Sequence, residues 1–89
     1  MQFEWDRDKA AENRRKHGVS FYEASTVFYD PLSISFEDAE HPAWESRWLT
    51  IGFSMEARLL VVCHTDRHGA VRIISARRAS PRERAHHEG

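Results

Sequence analysis

One carboxylate, two histidines and a set of arginines supply the residue types that move protons and hold phosphate. Glu45 stands two residues before Arg47. In an extended chain the two side chains leave on the same side and can pair, which keeps the carboxylate ionised and ready to accept a proton. The same pair would serve equally as a fold-stabilising ion pair. His41 and His64 are further proton-transfer groups, because imidazole titrates nearest neutrality. Arg47, Arg58, Arg67, Arg77 and Arg78 offer planar forks that bind phosphate in bidentate fashion. Metal-free cleavage of an RNA phosphodiester needs a base for the 2′-hydroxyl, cations for the phosphorane and an acid for the leaving oxygen. The sequence holds candidates for all three roles, although each arginine taken alone is also an ordinary solvated strand-end charge.

Other chemistries find less support. Six histidines invite a metal reading, but only His86 and His87 are adjacent, and no ligand pair stands at a fixed offset from an acid or cysteine. Neither a metal nor a cofactor is expected. The single cysteine, Cys63, lies in the apolar run LLVVCHT and reads as a buried strand residue. Phosphate-cradling glycine loops, a nucleophile elbow and paired carboxylates at meaningful spacing are all missing, which removes NTPases, serine hydrolases and glycosidases. Trp5 and Trp48 read as core or rim packing, while an exposed Trp44 or Trp48 would be able to stack a base.

The net charge of −1 conceals an asymmetry. Residues 1–45 carry ten Asp/Glu against five Lys/Arg, whereas residues 46–89 carry four against eight, all eight of them arginine. An arginine-only basic half points to nucleic acid more than to solubility. No run approaches the roughly 20 apolar residues of a membrane helix, and MQFEWDRDK lacks the layout of a secretory signal. A cytoplasmic protein with no membrane partner is expected. With 89 residues, a single domain over residues 1–89 is the expectation, because a second core could not bury enough surface.

The elements that must position these residues follow from pattern. Phe3 to Trp5 reads as a short strand, Asp6 as the cap of a helix ending at Gly18, and Ser20 with Glu23 as the capping box of a second helix that stops at Asp30-Pro31. Lys16 and His17 fall in the last turn of the first helix, where His17 suits either the helix dipole or a ligand. Ser33 to Phe36 is a brief strand, followed by a polar connection through His41 and Glu45. Arg47–Ser54, Arg58–Thr65 and Ala70–Arg77 form an antiparallel meander with the middle strand most buried. Alternation puts Arg72, Ile74, Ala76 and Arg78 on one side and Val71, Ile73, Ser75 and Arg77 on the other. Ser80, Pro81 and Glu83 open a C-terminal helix to about Glu88. The fold class is α+β: N-terminal helices on a mainly antiparallel sheet with a C-terminal helix, one face covered and the other left for function.

The segments FEWD, KAAENRRKHGVSFYEASTVFYDP, HPAWESR, IGFS, RLLVV, TDR and RIISARRAS with a following ERA, in this order from Phe3 to about Glu88, resemble the BrnT family of toxins from bacterial type II toxin-antitoxin systems. The resemblance implies a RelE-like fold and an endoribonuclease that arrests translation. It also implies a cognate ribbon-helix-helix antitoxin, BrnA-like and encoded beside the toxin, which binds operator DNA and with which the toxin represses its own operon. By position, the family's polar signature falls on Lys16, His17, His41, Glu45, Arg47, Arg58, Arg67, Arg77 and Arg78. Glu45, Arg58, Arg77, Arg78 and His41 are the expected catalytic group, and Arg47, Arg67, Lys16, His17 and His64 the expected substrate contacts. One departure is visible at His87, where the family usually carries a tyrosine. The competing expectation is a non-catalytic module whose arginines dock an acidic antitoxin or DNA complex as corepressor.

Overall fold

Helix starts and stops are set by local side chains. In the computed structural model, which describes residues 1–40 and 45–88, helix α1 (Arg7–His17) begins where Asp6 accepts hydrogen bonds from the amides of Asp8 and Lys9 at 2.8 and 3.1 Å. It ends at Gly18, whose φ of 69° is the left-handed conformation glycine adopts without a Cβ clash. Helix α2 (Phe21–Thr26) is capped by Ser20, whose Oγ accepts the Glu23 amide at 3.0 Å, and runs into a 3₁₀ turn at Val27–Tyr29. The carboxylate of Glu23 turns to Arg58 and Ser54, so only one arm of the expected capping box forms at this helix. Both arms form at α3 (Pro81–Glu88), where the Ser80 amide donates to Glu83 and the Glu83 amide to Ser80 Oγ.

Five strands make one mixed sheet: β1 (Phe3–Glu4), β2 (Ile34–Glu37), β3 (Trp48–Phe53), β4 (Leu59–Arg67) and β5 (Ala70–Arg78), in the order β1-β5-β4-β3-β2. All pairings are antiparallel except β1 with β5, which is parallel. The meander of β3, β4 and β5 is as the sequence indicates, with β4 buried from Leu59 through His64.

One irregularity changes which way the arginines point. Cys63 pairs with Ser75 but His64 pairs with Ile73, so Ile74 is an extra residue in β5, a β-bulge. Strict alternation is corrected here: Ile73 joins Ala76 in the helix-covered core at 2% and 1% exposure, and Arg72 moves to the opposite face opposite Thr65.

The main core lies between this sheet face and α1 and α2, from Val19, Phe21, Ala24 and Val27 against Leu60, Val62, Ile73 and Ala76. Asn13 stitches the layers together, donating to the carbonyls of Val19 and Ala76 and accepting the Ala76 amide. A smaller apolar group of Ile51, Leu59 and Val61 occupies the other face with Ala79. The C-terminal helix leans over this second face, where His87 and Phe53 meet edge to face with ring centroids 6.0 Å apart. The second face, expected from the sequence to be left for function, is therefore partly covered by α3. Gly52 marks a close approach: a Cβ there would fall 2.8 Å from that of Ser33 and 3.1 Å from the Asp30 carboxylate. That carboxylate accepts the amides of Phe53 and Leu32 at 2.8 and 2.9 Å, tying the turn before β2 to β3.

Candidate phosphate-binding and proton-transfer site

Antiparallel pairing sends the two ends of β4 to opposite ends of the sheet, and the candidate residues divide with them. At roughly 3.4 Å per residue, Leu59 and Arg67 are on the order of 27 Å apart. Arg47 and Arg67 lie at one end, Arg58, Arg77 and Arg78 at the other.

The first end is a polar cleft of about 280 Å³ lined by Lys9, Glu45, Arg47, Thr65, Asp66, Arg67, Arg72 and Ile74. Glu45 and Arg47 form the pair their spacing suggests: Arg47 Nε donates to Glu45 Oε2 at 3.1 Å, and Nη2 lies 2.9 Å from the same oxygen. Both side chains are about a quarter to a third exposed, at 26% and 33%. The backbone is fixed nearby where Thr65 donates to the Ser46 carbonyl at 2.5 Å and the Asp38 amide to the Arg47 carbonyl at 2.8 Å. Arg67 reaches the cleft from the β4–β5 hairpin, and Arg72 reaches it because of the bulge at Ile74. Arg72 also lies 3.7 Å from Glu4 of β1. His41 lies outside the described residues, as does Trp44.

Lys9 and Arg72 are cleft residues that sequence reasoning missed. Lys9 comes from the first turn of α1, and nothing in the sequence shows that this turn overhangs the end of β5. For Arg72 the signal was obscured by the bulge, since unbroken alternation sends it to the helix side.

At the opposite end two of the three arginines, Arg58 and Arg77, are engaged in the fold. Arg58 donates from Nε to Glu23 Oε2 at 2.9 Å and from Nη2 to Glu23 Oε1 and the Gly18 carbonyl, while Ser54 Oγ donates to Glu23 at 2.7 Å. Glu23 is 3% exposed. Hydrogen bonding from Arg58 outweighs the burial penalty and holds its carboxyl below the ordinary value of 4.5. Arg77 grips Glu83 of α3 with two parallel bonds of 2.7 and 2.9 Å, which lower the Glu83 pKa to about 2. Arg78 is exposed, and its Leu60 partner places it on the opposite face from Arg77.

The remaining candidates are dispersed. Lys16 and His17 are exposed at the end of α1, beside Asn13, Ile74 and Ser75. His64 is 7% exposed in the core, where its Nε2 and Thr50 Oγ1 are 2.7 Å apart and its ring stands edge-on to Phe28 at 4.8 Å. Thr50 Oγ1 is in turn 2.7 Å from Ser35 Oγ, so the imidazole is held in a short polar chain. Burial depresses its pKa below 6.5. Cys63 is buried as expected, and burial raises its thiol pKa.

Among the described residues, only the Glu45 cleft combines a partly exposed candidate carboxylate with several converging cations. No helix among the described residues is long and apolar enough to cross a membrane.

No curated protein sequence matches the chain. Among solved structures, it is similar to the 1.1 Å crystal structure of the Brucella abortus ribonuclease toxin, BrnT, with a TM-score of 0.71. That likeness covers 90% of this chain and 97% of the other at 24% sequence identity, which establishes the shared fold. A family model described as "Ribonuclease toxin, BrnT, of type II toxin-antitoxin system" matches residues 5–83. With the fold and nearly the whole sequence in agreement, this chain belongs to the BrnT family of ribonuclease toxins of type II toxin-antitoxin systems.

Proposed function

We propose that this chain is a metal-independent endoribonuclease that cuts at the Glu45 cleft. The observation that carries the reading is the contact between the Glu45 carboxylate and Arg47 in a cleft also lined by Lys9, Arg67 and Arg72. Glu45 takes the proton of the 2′-hydroxyl, whose oxygen attacks the adjacent phosphorus. The arginines stabilise the charge of the phosphorane, and departure of the protonated 5′-oxygen leaves a 2′,3′-cyclic phosphate. His41, adjoining the cleft in sequence, is the proposed acid. Arg78, Lys16 and His17 are exposed and suited to more distant phosphates, while Arg58 and Arg77, each paired with a glutamate, serve the reaction by holding the fold. His64 serves the reaction by supporting the sheet beneath the cleft rather than by touching RNA.

Cleavage arrests translation in this reading, within the cytoplasm. A ribbon-helix-helix antitoxin of the BrnA type neutralises the toxin and represses the operon with it. The test is incubation of purified toxin with RNA in excess chelator. Discrete products ending in cyclic phosphate, lost in Glu45→Ala, support the reading; intact RNA at high protein excess refutes it. Cleavage that needs an added divalent cation refutes the metal-independent chemistry alone.

A further inference from the structure

The outer edge of β2 has no strand neighbour among the described residues, and it carries what exposed edges normally avoid. Ile34 and Phe36 project from the same face and are 50% and 48% exposed. Inside the strand the only charged residue is Glu37 at its end. Beside them runs a groove of about 490 Å³ whose floor is Ile51 and Val61 and whose far wall is α3. Arg82 and His86, one helical turn apart on that wall, are exposed and form no ion pair among the described residues, while the intervening Glu83 is taken up by Arg77. The groove thus has an unpaired backbone edge on one side, an apolar floor and a cationic wall.

We propose that an extended segment of the antitoxin adds to β2 as a sixth strand. Its alternate apolar side chains fill the groove, and an acidic side chain meets Arg82 and His86. An open edge selects extended chain, because main-chain hydrogen bonds supply the affinity. The placement of Ile34 and Phe36 on one face selects apolar residues at every second position. The unpaired guanidinium of Arg82 selects acid. A second copy of the toxin fits less well. Two-fold pairing of β2 with itself would leave two cationic α3 walls facing each other across an unfilled trough. RNA would leave the apolar floor unmatched.

The inference rests on the toxin-antitoxin reading but not on the site of cleavage. It is tested with the antitoxin encoded beside the toxin gene, purified with the full-length toxin. Hydrogen exchange on the unaltered proteins should show new protection at residues 34–37. Phe36→Asp should weaken binding by at least about 30-fold while leaving ribonuclease activity of the free toxin unchanged. Arg82→Glu should weaken binding more at low salt than at high salt. Wild-type affinity in Phe36→Asp, or protection confined to the Glu45 cleft, overturns the proposal. So does a free toxin that dimerises through residues 34–37 and still binds antitoxin. If the toxin cuts no RNA yet Phe36→Asp loses the antitoxin, the proposed catalytic function fails and this docking surface stands.

Discussion

Glu23 of α2 and Arg58, the residue just before β4, 35 residues apart in sequence, are joined by two guanidinium-to-carboxylate hydrogen bonds, and the same Arg58 nitrogen that serves one of them also binds the Gly18 carbonyl. One arginine therefore fastens the end of α1, the beginning of α2 and the β3–β4 turn. Removing it leaves Glu23 buried without its counter-ion. Arg58→Ala should lower unfolding stability by about 3–5 kcal/mol, and Glu23→Ala by a comparable amount. Urea denaturation measures both, and the double variant should cost less than the sum.

The proposed base makes a different demand. Glu45→Gln should reduce RNA cleavage by about 10²–10⁴-fold with little change in the urea midpoint, because the pair it forms with Arg47 is partly exposed. Single-turnover cleavage with excess protein reads the chemical step directly. A variant that unfolds more easily and cuts normally would assign Glu45 to the fold.

Arg72 gives the cleft a test based on salt. Its Ala variant should weaken binding of an uncleavable RNA and lower the slope of log affinity against log salt by about one. Arg15→Ala, which removes a cation paired with Glu12 on the exposed side of α1, should leave the slope unchanged. Equal effects from both variants would mean diffuse attraction rather than a cleft.

Two acid-base groups should leave signatures in stability. His64 has a folded pKa below its ordinary 6.5, so its contribution is complete above that value and is lost as pH falls from 6.5 toward the depressed value. Glu83, at about 2 through Arg77, contributes fully above 4.5 and loses that contribution as pH falls toward 2. Stability measured from pH 8 to pH 2 should fall in two windows. His64→Gln should flatten the upper one, and Arg77→Ala should reduce the lower one, to which Glu23 and Asp30, also held below their ordinary values, contribute as well.

Cys63 is both buried and raised in pKa, so a maleimide should label it only as fast as the protein opens. Rapid labelling under native conditions would contradict the packing of β4.

Much of the architecture was legible because local chemistry and global packing agree. Asp6, Gly18, Ser20 and Ser80 mark helix ends by mechanisms confined to a few residues. The runs ending in Ser54, Thr65 and Arg77 announce themselves by branched side chains and short connections. The pairing of Glu45 with Arg47 was also legible, since two residues of extended chain bring them together. What spacing could not show is partnership across the fold. Glu23 looks like a capping-box residue until Ser54 and Arg58 approach it, and Arg77 looks like a free cation until α3 folds back. His64 lies at a strand position that suits either a site or a core, and only the pairing of β4 with β3 supplies Thr50. At His87, where the family resemblance breaks, the imidazole still packs on Phe53 as an aromatic ring would.

The bulge at Ile74 has a consequence for how such a surface can change. Because pleating has a period of two, one inserted or deleted residue transfers every side chain beyond it, up to the next turn, from one face to the other. Deleting Ile74 would carry Arg72 out of the cleft toward the helices and lift Ile73 from the core, with no other residue substituted. In this sheet the charge of a working face is a matter of residue count as much as of residue identity.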